Sequence, residues 1–150
     1  MDAIRCLLAQ GALVIAGGGG GIPVMRRADG KGMEGVEAVV DKDLCTALIA
    51  SGLQADCLII ATDVDAVYVN WAEPEQRRLT RTTPQELDHF TFAPGSIAPK
   101  VLAAVNIVKA TGKRAVIGPL DRIEDMLAGR AGTEIGADVN AACPSNSHAA

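Results

Sequence analysis

The sequence predicts an α/β domain built on a mainly parallel sheet, and three observations lead there. Short apolar runs rich in β-branched residues, "ALVIA" (12–16), "CLIIA" (57–61) and "RAVIG" (114–118), alternate with segments whose apolar residues recur at helical spacing. That rhythm covers both faces of a parallel sheet with helices. The segments of unusual composition, glycine-rich or charged, each follow an apolar run, at the carboxyl end where ligands of such sheets bind. Finally, 49% hydrophobic residues over 150 positions suffice for one core and one domain.

Each element has its own reason. Ile4, Leu7 and Leu8 lie at helical spacing over 2–10, and Gly11 stops that helix. "ALVIA" then reads as a buried strand that runs into five glycines, Gly17 to Gly21. The polar, glycine-rich stretch 26–35 reads as an exposed loop or flap, and "VEAVV" (36–40) resumes extended apolar character. Leu44, Ala47, Leu48 and Leu53 favour a helix closed by Gly52. "DCLIIAT" (56–62) is the clearest buried strand, which "AVYVN" (66–70) extends or pairs beside. Residues 71–94, polar and with three prolines, wrap the surface and hold a short helix over 84–87. Over 99–111, Pro99 suits the first helical turn, Val101, Ala104, Val105 and Val108 share a face, and Gly112 ends the helix. "RAVIG" is another parallel-type strand, and 121–129 forms a last helix with Asp121 as N-cap and Gly129 past its end. One folded unit is expected over 1–137, with 138–150 a flexible tail poor in apolar residues.

Charge and composition exclude several function classes. The net charge of −4 comes from 14 basic and 18 acidic residues with no basic block, so nothing in the chain tracks a nucleic-acid backbone. At 3%, aromatic residues are too few for base-stacking platforms. No stretch approaches the roughly 20 apolar residues that span a bilayer, so no membrane association is expected. The four cysteines show no C-x-x-C pairing and lie mostly in apolar segments, which points to a reducing, cytoplasmic setting. His89 and His148 lack metal-ligand spacing, and no protein-held metal site is expected.

The glycine run is tested against known phosphate loops first. From Gly17 the sixth position is Ile22 and from Gly18 it is Pro23, so neither register completes the dinucleotide fingerprint G-x-G-x-x-G. The P-loop pattern fails as well, because Gly30-Lys31 would need glycine at Met25. What remains is either a flexible turn without a ligand or a turn whose backbone amides meet a phosphoryl group. "VVDKDL" sets Asp41, Lys42 and Asp43 directly after an apolar run, as a solvated helix start capped by Asp or as a charged site. "TDVDAVY" brings Thr62, Asp63, Val64, Asp65 and Tyr68 to the end of the best strand, where turn chemistry is the plainer explanation. Lys100 stands in a helix first turn, against the macrodipole. Either solvent screens it or an anion bound at the helix N-terminus compensates it.

Taken in order, "IAGGGGGIPV", "GVEAVVDKDL", "LIIATDVDAVYVN", "PGSIAPKVLAAV", "ATGKRAVIG" and "GRAGTEI" resemble the carbamate kinase branch of the amino-acid kinase family over about residues 3–135. The resemblance implies a three-layer α/β/α sandwich, here incomplete, because only the carboxyl-terminal, nucleotide-binding half of the family pattern is matched. It implies phosphoryl transfer between ATP and carbamate, giving ADP and carbamoyl phosphate with Mg2+, in arginine metabolism. Carried over by motif, Lys42 and Lys100 contact the transferring phosphoryl group and Asp43 orients the lysines. Gly18, Gly19, Gly20 and Gly21 line the phosphoryl site, and Thr62, Asp63, Val64 and Tyr68 hold the adenosine. Two positions depart from the family pattern: Ala66 and Ala98 stand where it has glycine, which predicts weakened nucleotide affinity if those glycines take positive φ. Two readings follow from the half-length match. One is a phosphotransferase module, inactive as an isolated half, whose partner is a missing amino-terminal half or further copies in a homo-oligomer; the other is a non-catalytic nucleotide-binding or subunit-interaction module.

Overall fold

The computed structural model describes residues 1–92, 95 and 97–138. In chain order the elements are α1 (Asp2–Ala9), β1 (Val24–Arg26), β2 (Met33–Gly35), α2 (Lys42–Leu53), β3 (Cys57–Thr62), β4 (Tyr68–Val69), β5 (Arg77–Arg78) and β6 (Arg81–Thr82). They continue with α3 (Pro84–Leu87), α4 (Ala98–Thr111), β7 (Arg114–Pro119), a 3-10 turn (Leu120–Arg122), α5 (Ile123–Leu127) and β8 (Thr133–Ile135).

The main sheet has the order β3-β7-β8-β6. β3 and β7 pair in parallel from Cys57 opposite Arg114 to Thr62 opposite Pro119. β8 runs antiparallel to β7 and parallel to β6, so the sheet is mixed, two parallel pairs joined by an antiparallel one. Side chains alternate across it. Leu58 and Ile60 of β3, with Ala115 and Ile117 of β7, face Ala47 and Ala50 of α2 and Val101, Ala104, Val105 and Val108 of α4. Cys57, Ile59 and Val116 face the other way, onto Met126 of α5 and Ala131. Helices on both faces of one sheet make the expected three-layer α/β/α arrangement.

Local signals act where the sequence places them. The Asp41 carboxylate caps α2, accepting from the backbone N–H of Asp43 at 2.8 Å and of Leu44 at 2.9 Å. Gly112 ends α4 at φ +69°, and Thr83 with Glu86 forms a capping box on α3. α2 runs through Gly52 and ends instead at Gln54, in left-handed conformation. Asp121 lies inside the 3-10 turn rather than capping the last helix, which starts one turn later behind Arg122 without a side-chain cap.

The largest differences lie in the first 40 residues. "ALVIA" and "VEAVV" belong to no strand, the second bending at Glu37, where the N–H of Ala38 donates to the carbonyl of Val36 at 2.9 Å, and Leu13, Ile15 and Val39 are 94, 94 and 95% exposed. A strand exists only through the ladder its neighbours provide, and no strand of the described residues lies beside these two. α1 likewise buries none of its residues. The expected flap is an exposed hairpin, β1 against β2. Beyond Thr62, β4 does not extend the main sheet but pairs antiparallel with β5, and the polar stretch 71–94 supplies both β5 and β6. No helix among the described residues is long and apolar enough to cross a membrane. Of the tail expected at 138–150, residues 139–150 lie outside the described residues.

Candidate functional site

A cleft of about 150 Å³ opens at the carboxyl end of β3, where an α/β sheet presents its ligand site. One wall is a single stretch of chain that bends over 63–66 between β3 and β4: Thr62, Val64, Ala66, Tyr68, Asn70 and Trp71 line the cleft. The intervening Val67 and Val69 point into the core and are buried. Over 67–69 strand alternation sends Val67 and Val69 to the core and Tyr68 to the cleft, whereas Asp63 and Asp65, in the bend before it, are exposed. Thr91, Phe92 and Ile97 form the opposite wall. Tyr68 and Trp71 meet edge-on, with ring centroids 5.5 Å apart at 76°, an arrangement the ring quadrupoles favour.

Tyr68 is fixed from outside the cleft. Its hydroxyl donates to the Asp65 carboxylate at 3.0 Å, and Arg78 Nε donates to the same carboxylate at 3.1 Å. Burial pulls the Asp65 carboxyl upward, but the Tyr68 hydroxyl and the Arg78 guanidinium outweigh it and hold the group below its ordinary value. The Tyr68 phenol, donating to that carboxylate, is raised above its own.

Ile97, on the far wall, is also the N-cap residue of α4, so the cleft leads to the start of that helix. One turn on, Lys100 Nζ donates to Asp43 Oδ2 at 2.9 Å, and the two side chains are only 16 and 13% exposed. This pair joins the first turns of α4 and α2. It also answers the question raised by a cation in a helix first turn, since the Asp43 carboxylate supplies the compensating charge from within the chain. Lys42, beside it, is exposed.

The glycine turn is placed against the same corner. A Cβ on Gly20 would lie 2.5 Å from the carbonyl oxygen of Val40, and Gly20 takes φ +83°. Only glycine fits there, and the residue it touches precedes the "DKD" start of α2. Gly18, Gly19 and Gly21 face open space.

Of the residues singled out in the sequence, Thr62, Val64 and Tyr68 thus line the cleft, Lys100 and Asp43 pair beyond it, and Gly20 and Lys42 border the start of α2. Asp63 is exposed, its carboxylate accepting from Thr62 Oγ1 at 3.0 Å, and is not among the cleft-lining residues. Asn70, Trp71, Thr91, Phe92 and Ile97 were not foreseen. The chain's one tryptophan, in a stretch otherwise polar, was the available signal for Trp71. Neither Ala66 nor Ala98 takes positive φ, so alanine at these positions carries no backbone strain here.

Comparison with known proteins decides the family. Residues 1–119 match the amino acid kinase family. The chain belongs to that family. Within the amino acid kinases it is 49% identical over 132 residues to a carbamate kinase of Haemophilus influenzae, a match covering 88% of this chain and 42% of that one. To a carbamate kinase of Escherichia coli it is 52% identical over 132 residues, covering 88% and 43%. Among solved structures it matches a carbamate kinase from Giardia lamblia bound to AMP-PNP, with TM-score 0.83 and 41% identity, over 91% of this chain and 49% of that one. The chain therefore spans less than half the length of the carbamate kinases it resembles.

Proposed function

We propose that this chain is the nucleotide-binding part of a carbamate kinase-type phosphotransferase, moving a phosphoryl group between ATP and carbamate and, in reverse, from carbamoyl phosphate to ADP. The observation that carries the reading is Ile97, which lines the cleft and is the N-cap residue of the helix whose first turn holds Lys100 against Asp43. A base and ribose between Tyr68, Trp71 and Phe92 would send their phosphates past Ile97 to the first turns of α4 and α2. The nucleotide analogue in the Giardia lamblia relative supports the same choice of ligand.

The residue types suit the reaction. Phosphoryl transfer spreads negative charge over the equatorial oxygens and needs no protein nucleophile, so fixed cations and backbone donors do most of the work. Lys100, held by Asp43, and the exposed Lys42 would supply the charge, and the amides of Gly18 to Gly21 the backbone donors. Thr62, Val64 and Tyr68 would seat the adenosine, with Asp63 beside Thr62. Magnesium fits as a passenger on the nucleotide. On a nucleotide the phosphates supply most of its ligands.

Catalysis would require the part of a carbamate kinase that this chain does not span. Leu13, Ile15, Ile22 and Val39 present an unpaired apolar edge that fits the part of a carbamate kinase this chain does not span. Such a part would bring the carbamate site, and positioning both reactants is worth roughly 7–11 kcal/mol. The unpaired thiols of Cys6 and Cys45 agree with a reducing, cytoplasmic setting. The test is ATP formation from ADP and carbamoyl phosphate. The chain alone should give none, addition of the amino-terminal half of a related enzyme should give turnover, and Lys100→Ala should then remove it. Turnover by the chain alone would overturn the need for a partner. A reconstituted complex that binds nucleotide but never turns over would favour a non-catalytic module.

A further inference from the structure

The register of β4 and β5, Tyr68 opposite Arg78 and Val69 opposite Arg77, continues to Val67 opposite Leu79. An antiparallel pair of this kind exchanges two N–H···O bonds. Here only one is direct: the N–H of Leu79 donates to the carbonyl of Val67 at 2.9 Å. In place of the other stands a side chain from a different strand. The N–H of Val67 donates to Thr133 Oγ1 at 2.8 Å, and the Thr133 hydroxyl donates to the carbonyl of Leu79 at 2.6 Å. Thr133 lies on β8, fully buried and opposite Ile117 in the main sheet. Its hydroxyl is thus wedged into the mouth of the hairpin, with both its donor and its acceptor role used.

The place where it is wedged matters because Val67 is the core-facing residue between Ala66 and Tyr68, both of which line the cleft. We propose that Thr133 is a positioning residue for the nucleotide cleft: its hydroxyl holds residue 67 to the main sheet and thereby sets the side chains of Ala66 and Tyr68 on either side. The inference rests on the nucleotide reading of the cleft. Without the hydroxyl, two buried backbone groups lose their partner. They can recover only by closing on each other, replacing two bonds in series by one of about 2.9 Å. Residue 67 would then move toward residue 79, and the cleft wall with it.

Trp71, the chain's one tryptophan, stands in that wall and reports on it. In the free protein, Thr133→Val should shift the tryptophan emission while Thr133→Ser, which keeps the hydroxyl, should leave it unchanged. In titrations with ADP and Mg2+ the Val variant should bind at least tenfold more weakly and the Ser variant within twofold of the unsubstituted chain. A folded Val variant with unaltered emission and affinity, or a Ser variant as impaired as the Val one, overturns the proposal. Should the Val variant fail to fold, amide exchange on the unsubstituted chain decides. The Val67 amide should exchange slowly and slow further with ADP, and exchange at the rate of an open loop refutes the tether. An unsubstituted chain that takes no ADP overturns the nucleotide reading itself, and an emission shift confined to the Val variant would still place the cleft wall under the control of Thr133.

Discussion

Replacing Asp43 by alanine removes the charge that faces Lys100 Nζ at 2.9 Å across the first turns of α2 and α4. At that distance and an effective dielectric of about 20, the attraction is about 6 kcal/mol before desolvation. Withdrawing both side chains from water takes back most of it. The net value falls in the range for hydrogen bonds to charged groups, about 1.5–3 kcal/mol. For a chain of this length that is a fall of roughly 4–8 °C in Tm. Lys100→Met, which keeps the apolar stem, should cost less than Asp43→Ala, because it leaves a carboxylate near a helix N-terminus that tolerates it. The double variant should lie closer to the Lys100→Met chain than the sum of the two changes, with a coupling of about 1 kcal/mol or more. Thermal melts of the four proteins at low salt measure this. Inorganic phosphate adds a second reading: with Asp43 gone, Lys100 lacks its internal anion, and phosphate should raise the Tm of Asp43→Ala more than that of the unsubstituted chain. Additive single effects, or an Asp43→Ala melt within 1 °C or so of the original, would refute the account of this corner.

Ala66→Gly restores the residue the family pattern has, yet Ala66 does not take positive φ; ADP affinity by calorimetry should change less than threefold or so, and a tenfold gain would show that the loop is strained after all. Tyr68, the chain's one tyrosine, should form phenolate only above the ordinary tyrosine range, and Asp65→Asn should bring its absorbance titration back toward about pH 10. Because the Asp65 carboxyl is lowered in the folded chain, its contribution is present above the ordinary carboxylate value and fades as pH falls through and below about 4, so Asp65→Asn should flatten the acid limb of a pH–stability curve. Leu13→Asp with Ile15→Asp should leave the Tm of the isolated chain nearly unchanged, since both side chains are almost fully exposed. The same pair should abolish complementation by the amino-terminal half of a related enzyme; binding that survives both charges would mean that the partner docks elsewhere.

The sequence was most readable where local physics suffices. Asp41 as a cap, Gly112 as a stop, the shared apolar face of α4 and the runs 57–61 and 114–118 as strands all came from short-range rules, and the structure keeps them. So was the family, because its motifs are contiguous strings that fall at the ends of those elements. The glycine run was legible as a close approach, but what it approaches, the Val40 carbonyl, was not.

By itself, then, the sequence determined which segments are apolar, where helices start and stop, and which kind of fold those segments can build. Tertiary structure alone decided whether a segment able to be a strand becomes one: "CLIIA" does, because β7 lies beside it, and the equally apolar "ALVIA" does not, because among the described residues nothing does. It alone brought Lys100 to Asp43, 57 positions apart, and set Thr133 between Val67 and Leu79. Propensity and capping act over a few residues, whereas ladder hydrogen bonds, buried ion pairs and inserted hydroxyls need partners that only chain packing brings together.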